Sequence, residues 1–133
     1  MKPASTHLAV TVLRWGIAFV FFFAAVATML NPNAWAMYIP SFILSIVPVK
    51  VFLVVFGFFQ IILAVWLFTG KRLRLSSAIA CVTLIVIVIA TLDSLDETFR
   101  DVGLTLAAFA LFTLAGDADA SQPEKSEPVE NQP

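Results

Sequence analysis

Hydrogen-bonding and ionisable side chains are so scarce over most of this sequence that each one needs a reason. Gln60 stands at the midpoint of the uncharged run 51–69. An amide at the centre of a hydrocarbon layer must find a partner across a helix bundle or in a water-lined cavity. Two readings follow. The usual one is hydrogen-bonded glue between helices, worth on the order of 1 kcal/mol, and the sharper one is a contact to a substrate or quinone. The densest group of charges is Asp93, Asp96, Glu97, Arg100 and Asp101. Arg100 with Asp93 or Asp96 would make a partly desolvated ion network at the mouth of a cavity, and functional groups gather in such settings. A structural reading stands beside it. Thr98 and Asp101 have capping-box spacing, and an acid near a helix amino terminus is favourable, so Asp101 would start a helix.

Hydroxyls carry less information. Thr28, Ser41 and Thr91 toward one face, and Ser76 and Ser77 toward the other, can each satisfy a backbone carbonyl one turn back. Ala24 with Thr28, and Gly103 with Ala107, put small residues at a spacing of four, which lets helices approach closely. His7 is the one histidine, so a single chain cannot supply two axial His ligands to a membrane haem. Cys81 is the one cysteine and excludes both an intrachain disulfide and a Cys-x-x-Cys exchange pair. No zinc-ligand spacing and no Gly-rich phosphate loop occurs, and no metal site is expected. Spans one to three hold no Asp or Glu to relay a proton. No basic groove-reading element is present either, so nucleic acid is not an expected partner.

The elements that must position these groups are set by four uncharged runs, 15–30, 51–69, 75–92 and 102–116. About 20 helical residues cross the roughly 30 Å of bilayer hydrocarbon. Composition agrees: 60% of residues are hydrophobic and 13% charged, against about a quarter charged in soluble domains. The fold class expected is all-α, an integral membrane four-helix bundle. Its spans lie near 8–30, 51–69, 75–92 and 99–116, with a short interfacial segment between the first two. The first span takes in Arg14, whose long stem can snorkel to the headgroups. Asn31 and Pro32 stop it and open the segment 34–47, bracketed by prolines and carrying Trp35 and Tyr38, residues that anchor at the membrane interface. Gly70 is the expected C-cap of the second span. Residues 1–116 make one domain. From 117 to 133 the acidic, Pro- and Ser-containing sequence lacks an apolar period and reads as a disordered tail. Ala25, Val26 and Ala27 superficially suit a signal-peptide cleavage site. The apolar run continues past them and Arg14 interrupts it too early, so an uncleaved first span is expected.

Orientation follows from the basic residues. Lys2, Arg14, Lys71, Arg72 and Arg74 fall on one face and outnumber Lys50 and Arg100 on the other. The Lys/Arg bias puts that first face, with both termini, in the cytoplasm. The bilayer is thus the first partner.

The order of these pieces resembles the DoxX family of small four-span bacterial and archaeal membrane proteins. The residues that carry the likeness are Leu13-Arg14 and the segment Leu30-Asn31-Pro32-Asn33-Ala34-Trp35-Ala36-Met37-Tyr38-Ile39-Pro40. Gly57 with Gln60, then Leu67-Phe68-Thr69-Gly70-Lys71-Arg72 and Phe99-Arg100-Asp101-Val102-Gly103-Leu104, complete it. The resemblance implies a four-helix bundle in a prokaryotic cytoplasmic membrane with both termini inside. It further implies a link to membrane redox systems such as thiosulfate:quinone oxidoreductase, with a quinone as the ligand to consider and no covalently bound cofactor. Members often carry a Lys late in span one and a Glu in span two; Thr28 and Gln60 stand at those places here. Losing both keeps the interior neutral, whereas losing one would strand a charge at a cost of several kcal/mol. The function expected is an accessory or anchor subunit of a membrane redox system, non-catalytic when isolated or, if active, a membrane oxidoreductase subunit. A quinone-sized cleft is expected near Gln60, Trp35 and the Arg100 cluster, with membrane or soluble redox proteins as partners. The alternatives are an assembly or scaffold protein and a small-solute transporter or channel. Four helices enclose little space, so the last would require a homo-oligomer.

Overall fold

The computed structural model describes residues 3–92 and 95–120. Among them are six helices and no strand: α1 (Pro3–Leu30), α2 (Pro32–Ala36), α3 (Ser41–Leu44), α4 (Val49–Thr69), α5 (Leu73–Ala90) and α6 (Leu95–Ala120). Four of them are long and apolar enough to cross a bilayer, over Ala4–Leu30, Val49–Thr69, Leu73–Ala90 and Thr98–Asp117. They pack as an antiparallel bundle, and the protein is a multi-pass membrane protein with the expected fold class. Its outer surface is what a lipid environment selects: Phe19, Phe23, Phe58, Ile62, Val86 and Phe109 are all exposed. In water such a surface would be a large aggregation-prone patch; in hydrocarbon it carries no penalty.

The bounds differ from the sequence expectation in instructive ways. The 28 residues of α1 make about 42 Å of helix, so the helix outruns the hydrocarbon layer and begins five residues before position 8. The helix α6 starts at Leu95, ahead of Thr98, and runs through Ala120, past the Gly116 expected as its end. Helix continuity there follows from Ala and Asp at 117–120, none of which breaks a helix as Pro would. The first four residues of the tail expected over 117–133 are thus helical, and residues 121–133 lie outside the described residues, as does Asp93. The segment between α1 and α4 does not cross. It forms the two short helices α2 and α3 with a turn between them, and Pro32 takes the first-turn position after Asn31. Asn31 sits at the cap position without a side-chain hydrogen bond.

Two pairs build the bundle. α1 lies along α4, and α5 lies along α6; α1 also touches α6, while the consecutive helices α4 and α5 touch little. Close contact in the first pair depends on Gly57, where an added Cβ would sit 3.1 Å from Met29 Cε and 3.8 Å from the Ala25 carbonyl oxygen. The turn between α4 and α5 is held by backbone conformation. Gly70 closes α4 with φ 71° and donates its N–H to the Trp66 carbonyl, as its residue type suggests. Arg72 also takes a left-handed φ of 48°, and the Trp66 indole N–H donates to the Lys71 carbonyl at 2.8 Å.

The packed core occupies one half of the bundle. Ile17, Ala18 and Phe21 of α1, Leu63, Ala64 and Leu67 of α4, Ala80 and Leu84 of α5, and Ala108 and Leu111 of α6 form one buried cluster. On α4 these positions lie toward the Gly70 turn, and on α1, α5 and α6 they lie near mid-helix. The other half, toward Trp35, is hollow.

Candidate functional site

The hollow half is a cavity of about 420 Å³, within the range of small-ligand sites. Its floor is Gln60, with Phe21 and Leu84 beside it at the top of the packed core. Phe52, Phe56 and Phe59 line the α4 wall, stacked in series with ring centroids 5.8 and 6.2 Å apart. The opposite wall is α5, from Val82 to Thr91, and α1 contributes Ala24 and Thr28. Over the top lie Trp35, Tyr38 and Ile39 from the interfacial segment, with Arg100 and Asp101 from α6. Trp35 and Tyr38 meet edge to face at 6.1 Å, a geometry that ring quadrupoles favour.

Most residues singled out in the sequence therefore converge. Gln60, Thr28, Trp35, Tyr38, Arg100 and Asp101 come from four different helical elements and a turn, and all face one space. Thr28 and Gln60 share its wall. Arg14 does not join them. It lies at the opposite end of the bundle, where its guanidinium packs against Gly70 at the carboxyl end of α4. A cation is favoured there by the partial negative charge of the last helical carbonyls. Arg14 is thus half-buried against the bundle, and its Nε is buried without a hydrogen-bond partner among the described residues.

Gln60 is 4% exposed. Its Oε1 is buried and has no hydrogen-bond donor among the described residues, so this oxygen does not act as glue between helices. Most of the cavity's lining is apolar and donates nothing. Threonines nearby are already committed. Thr28 Oγ1 donates to the Ala24 carbonyl at 2.7 Å, Thr83 to Ile79 at 2.8 Å and Thr91 to Ile87 at 2.9 Å. Back-bonding of this kind was the expected fate of the hydroxyls. Ser76 and Ser77 follow it too, both donating to the Leu73 carbonyl.

Asp101 does not start a helix. α6 begins at Leu95, so Thr98 is already inside it, and the Thr98 hydroxyl donates instead to the Thr91 carbonyl at 2.6 Å, tying the end of α5 to the start of α6. Asp101, one turn further along α6, is 6% exposed. Arg100 Nε approaches Asp101 Oδ1 at 3.4 Å while its own side chain is more than half exposed. An ion pair with one side so open to solvent contributes under about 1 kcal/mol; it sets one buried carboxylate and one exposed cation over the top of the cavity. Asp96 is exposed.

Sequence reasoning missed the aromatic wall and the α5 wall. The signal for the first was present: Phe52, Phe56 and Phe59 recur at helical spacing beside Leu53, Gly57 and Gln60. Their three-and-four spacing looks the same whether a helix faces lipid, a neighbour or a void. Among the described residues no group of His, Cys, Asp and Glu could hold a metal ion.

Compared with protein-family models, with curated proteins and with solved structures, the chain matches none of them.

Proposed function

We propose that this protein is an accessory or anchor subunit of a membrane redox system, and that its cavity receives a quinone-sized ligand. One observation carries the reading: Gln60, Thr28, Trp35, Tyr38, Arg100 and Asp101, selected from sequence, line a single cavity with apolar walls and few polar groups. Sites for small organic ligands have this composition, with a handful of polar atoms fixing orientation inside an apolar pocket. Stacked phenylalanines suit a flat ring, and the Arg100–Asp101 pair suits a polar edge left at the membrane surface. The sequence likeness to the DoxX family supports the redox setting. The same likeness supports a prokaryotic cytoplasmic membrane, and the Lys/Arg bias supports both termini inside, which puts the Trp35 end of the cavity on the outer face.

The transporter alternative gains nothing from the geometry. A path continuing past Gln60 would have to pass Leu63, Leu67 and Leu111, all nearly fully buried in the close-packed half. The test is purification in mild detergent or native nanodiscs, followed by mass spectrometry of the lipids and proteins that remain bound. Co-purifying quinone together with a redox protein is the expected result. A homo-oligomer carrying neither would refute the reading and favour the scaffold role.

A further inference from the structure

We infer that the Gly70 end of the bundle binds an anionic diacyl phospholipid. Its phosphodiester oxygens accept hydrogen bonds from Arg14 and are held by Lys71 and Arg72, and its chains lie along Trp15, Phe19 and Phe68. This site is at the opposite end of the molecule from the cavity and does not rest on the reading of that cavity.

The first observation is a cation without an acceptor. Arg14 lies on α1 level with the end of α4, where its guanidinium packs against Gly70. The side chain is half-buried, and its Nε is enclosed with no hydrogen-bond partner among the described residues. The carboxyl end of α4 favours a positive charge there, yet no described carbonyl or carboxylate accepts a hydrogen bond from Arg14. A guanidinium carries five N–H donors in a planar fork that matches a phosphate. At the edge of the hydrocarbon, lipid phosphates are the acceptors within reach of such a fork.

The surrounding charges divide in a way that defines the site. Lys71 and Arg72 follow Gly70 in the turn and are exposed, and neither pairs with a described carboxylate. Arg74 is engaged elsewhere. Its guanidinium lies 5.3 Å from the centroid of the Phe112 ring and packs against Gly116, both on α6. Asp117 is the next residue of that helix. Arg14, Lys71 and Arg72 therefore gather around Gly70, while Arg74 belongs to the α6 side.

An apolar strip beside these cations selects a lipid over a soluble phosphate. Trp15 is exposed and meets Phe68 of α4 edge to face at 6.1 Å. One turn further along α1, Phe19 is exposed and stacks on Phe23 at 6.2 Å. Indole rings favour the headgroup zone, so the strip starts at headgroup depth next to Arg14 and descends into the hydrocarbon. A free phosphate would use the cations alone. A phospholipid uses the cations and the strip together, and basic pockets at the ends of membrane helices recognise anionic headgroups in this manner.

The experiment titrates the full chain in detergent micelles with dioleoyl phosphatidylglycerol or dioleoyl phosphatidylcholine, and counts bound lipids by native mass spectrometry. Wild type is compared with Arg14→Gln, Arg74→Gln, Trp15→Ala and a double variant, Lys71→Gln with Arg72→Gln. Circular dichroism and size-exclusion profile verify the fold of each. If Arg14→Gln fails to fold, the double variant in the exposed turn decides the cation assignment. One cation at a membrane surface is worth about a fivefold change in affinity. Wild type should prefer phosphatidylglycerol by at least about tenfold, and Arg14→Gln and the double variant should each lose about fivefold of that preference. Arg74→Gln should stay within about twofold of wild type, and Trp15→Ala should bind phosphatidylglycerol more weakly. Glycerophosphoglycerol, the same headgroup without chains, should displace no lipid at equal concentration. Equal binding of the two lipids by wild type overturns the inference. A loss in Arg74→Gln as large as in Arg14→Gln also overturns it, by assigning the attraction to diffuse surface charge. Displacement by glycerophosphoglycerol overturns the lipid as occupant in favour of a soluble phosphate ester, and unchanged binding by Trp15→Ala overturns the placement of the chains.

Discussion

Replacing Gln60 by leucine should make the ligand-free bundle more stable, even though the residue lies in the middle of a membrane span where polar groups are commonly assumed to hold helices together. Gln60 is 4% exposed and its Oε1 has no donor among the described residues. An unmatched buried acceptor costs about 1–3 kcal/mol. In a bilayer the unfolded reference is itself helical and also finds partners for polar groups; intramembrane hydrogen-bond changes measured against that reference average about 0.6 kcal/mol. A leucine of similar volume adds apolar contact with Phe21 and Leu84 at the cavity floor. The net expectation is a gain of about 0.5–2 kcal/mol. Reversible unfolding in mixed micelles, followed by tryptophan fluorescence in the absence of quinone, measures it. A loss of more than about 1 kcal/mol would refute the reasoning, because it would mean that the amide is holding the bundle together through bonds made from its nitrogen. The sign also bears on function. A residue that costs stability where leucine would fit is understandable at a site that keeps an acceptor ready for a ligand.

Three further outcomes follow from the same geometry. Gly70→Ala places a Cβ at φ 71° and against the Arg14 guanidinium; it should destabilise the bundle by about 1–2 kcal/mol, measured by the same unfolding assay, and Arg14→Ala in the same chain should relieve only the contact part. Gly57→Leu must push Met29 and the Ala25 carbonyl away from α4, so it should cost about 1–3 kcal/mol through overpacking, while Gly103→Leu, at an open position with nothing within 4 Å, should leave unfolding unchanged. A reporter fused after Pro133 should be active in the cytoplasm, and alkaline carbonate should leave the protein in the membrane pellet; an external reporter would reverse the orientation drawn from Lys71, Arg72 and Arg74.

Why the spans were legible and the cavity was not is a question of which physical signals are one-dimensional. Uncharged length reads directly onto helix and bilayer thickness, so α4 and α5 were located to within two residues at each end. Gly70 was legible as a cap because φ near 70° has so few residue types that accept it. Polar atoms in apolar runs stand out for a similar reason, so Gln60 and Thr28 are legible in the sequence alone. Helix starts were harder. Asp101 has the spacing of a capping residue, but the acids and Thr98 before it are also compatible with helix; α6 begins earlier, with Thr98 tied to the Thr91 carbonyl and Asp101 buried. Emptiness was least legible of all. Phe52, Phe56 and Phe59 give the same pattern against lipid as against a void, since a lipid tail and an unfilled space are equally indifferent to sequence.

The position of the cavity follows from how the chain is tied. At the Trp35 end the connections run within the pairs: α2 packs on α1 and α4 and holds these two together, and Thr98 with Thr91 holds α5 to α6. At the other end the only covalent link between the pairs is the turn at Gly70, and there the core closes with Leu63, Leu67 and Leu111 filling the space between all four helices. Side-chain size reinforces this asymmetry. Where the pairs are tied across, the facing residues are leucines and alanines that interlock; where they are not, α1 and α5 offer Ala24, Thr28, Ala90 and Thr91, too small to reach the aromatic wall of α4. Enlarging one of those small residues would fill the hollow without touching the core, whereas enlarging a core alanine such as Ala64 or Ala108, both fully buried, would force the pairs apart. The two halves of the same spans thus answer to different requirements: the half beside the Gly70 turn fixes the fold, and the half beneath Trp35 leaves a space that the fold does not need.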